Sequence, residues 1–135
     1  SLTTLHANSV SDALCRLESM VLMNEVGLPV KAIREYIESA IDLVIEVKRL
    51  PDGRRKIINI SEVVGFKEDE INLQTIFEFK EEGIDSNNQV IGEFVLYDYI
   101  PKVYNKIKSR GITDLDDIYL PIINKHNKKK NANKE

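Results

Sequence analysis

Apolar positions along this chain switch between a strand period and a helix period, and the switches mark its elements. Leu2, Thr3, Thr4 and Leu5 form a short apolar and β-branched run, which predicts a buried strand ending at His6. Ser9 is a good N-cap and Asp12 follows three residues later, so a helix is expected at once. Val10, Leu14, Leu17 and Val21 make one apolar stripe for that helix, over about Val10 to Met23. Gly27 and Pro29 punctuate the chain before a second helix, about Val30 to Ala40, whose inner face carries Ile33, Ile37 and Ala40.

From Ile41 the period becomes two. Ile41, Leu43, Ile45 and Val47 alternate with Asp42, Val44, Glu46 and Lys48. Pro51-Asp52-Gly53 is a turn signal at hairpin distance from a return strand, about Arg55 to Val64, with Ile58 and Ile60 on one face. A third strand, Ile71 to Lys80, is expected antiparallel to it across a loop holding Gly65 and the acidic residues 68–70. A loop from Gly83 to Asn88 precedes a short fourth strand, Val90 to Leu96. A helix is expected after Pro101 and stops at Gly111; Thr113 with Asp116 caps a short last helix. Residues 1–120 read as one continuous piece and 121–135 as a Lys/Asn-rich tail, disordered or weakly helical. Read by itself, the pattern is α+β.

Composition narrows the classes. At 135 residues, 42% hydrophobic and 30% charged, the chain suits one domain or a large piece of one. It has no apolar run near the roughly 20 residues that span a bilayer. The single cysteine, Cys15, cannot form an internal disulfide, and it is expected to be buried on its helix. His6 and His126 lie far apart, so no zinc spacing arises; Glu62, Glu68, Asp69 and Glu70 read as a solvated edge. A net charge of −3 speaks against nucleic acid as a partner, although the tail lysines could meet an acidic surface.

Several segments together resemble a known family. Ser1-Leu-Thr-Thr-Leu-His-Ala-Asn-Ser9 resembles the histidine box of the type II/type IV secretion ATPases, closest to the CpaF-like pilus-assembly ATPases of Tad/Flp systems. Asp12 to Met20, Leu28 to Val44, Arg49 to Arg55 and Ile60 to Gly65 are similar to the segments that follow the box in that family. Ile71 to Phe77, Gly92 to Phe94 and Pro101 continue the likeness, which covers about residues 1–120 in one register. The resemblance implies the C-terminal half of a RecA-like α/β P-loop core, opening at the histidine box, and a chain that begins as a fragment just upstream of Ser1. It implies a cytoplasmic homo-hexamer, peripheral to the inner membrane on a platform protein, that uses ATP and magnesium to power secretion or pilus assembly.

The same resemblance makes His6 a sensor of the γ-phosphate, because imidazole can donate to a phosphate oxygen or a water. Thr4, on the same run, and Arg16, on the following helix, are candidate nucleotide contacts. Tyr36 stands where the family often has glutamine. No glycine is followed by lysine, so the phosphate-cradling loop is missing, and with it the acidic magnesium motif. The chain alone is therefore expected to be inactive. The alternative is a non-catalytic module that docks on a membrane platform or on a full-length ATPase.

Overall fold

The computed structural model describes residues 2–24, 27–67 and 70–132. The chain divides into two compact units, Ser1–Val95 and Leu96–Glu135. The first begins with two helices, α1 (Val10–Asn24) and α2 (Val30–Ala40). Four strands follow: β1 (Leu43–Arg49), β2 (Arg55–Lys67), β3 (Glu70–Ile84) and β4 (Val90–Leu96). They form one sheet in the order β1-β2-β3-β4, with β1–β2 and β2–β3 antiparallel. The molecule is therefore mixed α and β with a four-stranded sheet, as the change of period predicts.

The helices bury one apolar stripe each. Leu14 from α1 and Ile33 and Ile37 from α2 form a buried cluster, joined by Leu17, Val21, Leu28, Ile41, Val44, Ile71 and Leu73. Arg34 reinforces the helix pair with a two-pronged ion pair to Glu18, at 2.7 and 3.1 Å. A second cluster of Leu50, Phe79 and Val90, with Ile58 beside it, lies at the hairpin end of the sheet. Lys56 sets its ammonium 3.8 Å from the Phe79 ring centre and 5.5 Å from that of Phe94. Such a placement over aromatic faces is favourable for a cation.

The turn signal Pro51-Asp-Gly53 forms the β1–β2 hairpin. Gly53 takes φ +86°, which suits glycine, and its N–H donates to the Leu50 carbonyl at 2.8 Å. The β2–β3 connection at residues 68–69 falls outside the described residues, and with it the reading of Glu68 and Asp69.

Three expectations are corrected, and the buried face of β1 is settled. Leu2 to Ala7 is not a strand: Leu2, Thr3, Thr4, His6 and Ala7 are exposed and only Leu5 is half-buried. β-branched residues favour a pleated surface, but a strand exists only with a ladder to pair it, and this segment has none. Cys15 is exposed, because it lies one position off the Leu14 stripe. On β1 it is Val44 that packs against the helix cluster, while Ile45 and Val47 are 51% and 58% exposed. The alternation is real, but the helices cover the other face. Glu62 is buried at 2% exposure rather than solvated, since mid-strand burial on β2 overrides its charge.

In the second unit, α3 (Lys102–Lys108) and α4 (Asp116–Ala132) pack Tyr104 against Tyr119, ring centres 4.7 Å apart. Both rings are buried. α4 runs through Pro121 and stays helical into the lysine-rich stretch, further than the short helix predicted there. Among the described residues no helix is long and apolar enough to cross a membrane.

Candidate functional site

His6 and Arg16 meet at the start of α1, and Thr4 lies two residues before His6. The helix entry is built by capping: Ser9 Oγ accepts from the Asp12 N–H at 3.1 Å, and Asp12 Oδ2 accepts from the Asn8 N–H at 2.9 Å. This is a reciprocal box displaced by one residue at the Asn8 end, and it fixes how the preceding segment leaves the helix. One turn further along, the Arg16 guanidinium donates to the His6 backbone carbonyl. Arg16 thus holds the backbone of the residue whose imidazole stands exposed.

Beside this entry a small cleft separates Leu5, Ala7 and Ser9 from residues 44–47 of β1. Thr4 is exposed on the same segment. The outer side of α1 carries an open groove of about 400 Å³ along Asp12, Cys15, Arg16, Ser19, Met20 and Met23. His6 and Arg16 are therefore brought together, through a backbone carbonyl, and Thr4 lies nearby in sequence without a contact to either that would define a site.

This arrangement can offer an imidazole and a guanidinium to a ligand approaching from solvent. It is not a phosphate cradle. The Asp12 carboxylate accepts from the Asn8 N–H at the mouth of α1, where an anion would otherwise be drawn. Among the described residues no cluster of His, Cys, Asp or Glu could hold a metal ion.

Three other polar clusters are more tightly built. In the first unit, Asp52 accepts from the Arg54 N–H and guanidinium at 2.7 to 2.9 Å and from the Val90 N–H at 2.8 Å. The Arg54 side chain, then its N–H and that of Val90, hold this carboxyl far below the usual carboxylate range. In the second unit, the Tyr104 hydroxyl donates to Asp116 at 2.6 Å, and Lys108 donates to both at 3.3 and 3.1 Å. The bond to Asp116 raises the Tyr104 phenol, and the bonds from Tyr104 and Lys108 lower Asp116. Asp98 pairs with Lys125 and with His126 Nε2, each at 2.7 Å, and its carboxyl is lowered by Lys125 first and His126 second. None of the three joins a nucleophile to a base over an open site, so each reads as a brace.

Sequence reasoning gave His126 no structural context. Its partner Asp98 lies 28 positions away, and nothing in the local pattern announces the pairing. No protein-family model matches this chain, and no curated protein matches its sequence.

Proposed function

We propose that this chain is the part of a hexameric secretion or pilus-assembly ATPase that begins at the histidine box, and that its sheet and helices belong to the C-terminal half of a RecA-like core. The observation that carries the reading is the hold of Arg16 on the His6 carbonyl. It fixes the backbone of the box to the helix behind it while the imidazole remains exposed. An exposed imidazole on a fixed backbone would be free to meet a terminal phosphate held, with magnesium, by residues outside this chain. His6 would donate to a phosphate oxygen or to a water; Arg16 would position it and add positive charge. No glycine of the chain is followed by lysine, so it has no phosphate loop of that type, and the magnesium ligands would also come from outside it. Partners in this reading are further copies of the intact protein and an inner-membrane platform, on the cytoplasmic side.

A second reading, a non-catalytic docking module, is favoured by one observation. Ile45, Val47 and the facing Ile57 are all exposed on β1 and β2.

The test separates the two. In the full-length protein encoded by the source gene, His6→Ala is expected to reduce ATP turnover about a hundredfold, the loss typical of one transition-state donor, with nucleotide affinity nearly kept. Equal loss of turnover and affinity would assign His6 a structural part. ATP hydrolysis by the 135-residue chain alone, or a reading frame without a Gly-Lys-Ser or Gly-Lys-Thr loop, would overturn the proposal.

A further inference from the structure

The formal charge of −3 hides a strong division. Residues 121–135 hold five lysines and one glutamate, a net +4, which leaves −7 on residues 1–120. The basic end is not a loose run. Lys125, Lys128, Lys129 and Lys130 lie within α4, which ends at Ala132. Lys125 pairs with Asp98 at 2.7 Å. Lys128 is exposed.

One or two cations suffice to complement the negative end of a helix. Three in succession exceed that need, and Lys125 with Lys129 adds a like-charge pair four residues apart, which costs helix stability. An excess of one sign at the end of an ordered helix suits an anionic surface that would relieve the repulsion. Ile118 and Leu120, 38% and 40% exposed, add apolar contact on the same helix.

We propose that the C-terminal part of α4 is a docking element for a bilayer rich in phosphate-bearing anionic lipids. Residues 121–135 contain no Phe, Tyr or Trp on which bases could stack, their one imidazole, His126, is held by Asp98 at 2.7 Å, and the −7 of the remaining chain opposes wrapping by a long polyanion. A flat surface touched by one helix end avoids that opposition. This inference stands independently of the ATPase reading.

Co-sedimentation of the whole chain with vesicles tests it. Binding is expected to phosphatidylglycerol–phosphatidylcholine vesicles at low salt, to weaken steeply as salt rises, and to be absent with phosphatidylcholine alone. Each lysine removed should lower affinity about fivefold, so the triple change Lys128→Gln, Lys129→Gln, Lys130→Gln should cost about a hundredfold. A control of equal charge change, Lys31→Gln, Lys48→Gln, Lys80→Gln, on exposed positions of the first unit, should retain binding. Equal loss in the control, no sedimentation at low salt, equal binding to neutral vesicles, or preference for an oligonucleotide would each overturn the proposal.

Discussion

Gly92 is the residue at which one added methyl group should do most harm. A Cβ there would lie 2.2 Å from the Lys80 carbonyl oxygen and 2.8 Å from the Phe79 ring. The first of these is backbone and cannot swing aside, so β4 would have to move away from β3. Gly92→Ala is expected to cost about 1–3 kcal/mol in urea unfolding, as overpacking does; an unchanged midpoint would show that the strands have room to part. Ile33 presents the opposite case. It is wholly buried between the helices and the sheet. Ile33→Ala should cost about 2–5 kcal/mol and Ile33→Val about 0.5–1.5 kcal/mol, through lost transfer energy and the cavity left behind. Two equal losses would mean that the site collapses around either side chain. Ile33 was legible in the sequence, since the helical period alone puts it beside Ile37. Cys15 was misread because its residue type suggested burial, whereas its position beside the Leu14 stripe already pointed outward. The tight space at Gly92 had no signal at all, because the contact comes from a carbonyl on another strand.

At the scale of elements, the β1–β2 hairpin shows how a local signal acquires a distant duty. Pro51-Asp-Gly53 announced the turn, and the turn formed. The reach of Asp52 to the Val90 N–H, 38 positions on, was not announced. That bond, with the Arg54 guanidinium also donating to the Val90 carbonyl at 3.0 Å, fastens the hairpin tip to the start of β4. Asp52→Ala removes the carboxylate from the Val90 N–H and the Arg54 N–H and leaves the Arg54 guanidinium with only the Val90 carbonyl of the bonds at this tip. The expected outcome is a lower unfolding midpoint together with faster amide exchange at Val90 and Arg54. Faster exchange spread evenly over the sheet would instead point to a general loss of stability. The opening segment shows the reverse failure. Leu2 to Leu5 has the composition of a strand, but composition cannot supply a neighbouring ladder, so the local preference goes unused. Which face of β1 is buried was not legible for a related reason. Alternation fixes which residues share a side, and only the placement of the helices decides which side is buried.

At the scale of the whole chain, charge braces both units, and their ionisation gives the molecule a pH window. Asp52 in the first unit and Asp98 and Asp116 in the second all have carboxyls lowered by their partners. A lowered carboxyl stabilises the fold above the ordinary carboxylate range, and that contribution fades as pH falls toward the depressed value. Both units should therefore weaken on the acid side. Tyr104 and Lys108 are raised, so their contribution is complete below the ordinary phenol and ammonium ranges and is lost as pH rises beyond them. The alkaline weakness belongs to the second unit, where Tyr97, Tyr99, Tyr104 and Tyr119 also place four of the five tyrosine chromophores. Tyr104→Phe keeps the ring against Tyr119 and removes only the hydroxyl, leaving Lys108 and Asp116 paired. The near-ultraviolet tyrosine signal of this variant should lose part of its alkaline dependence while its acid dependence, carried by Asp98 and Asp116, persists. Asp52→Asn should do the converse. Its stability deficit against the unchanged protein should be widest near neutral pH and shrink as acid protonates Asp52 in the latter. A deficit constant across the acid range would mean that Asp52 acts through its shape and not through its charge.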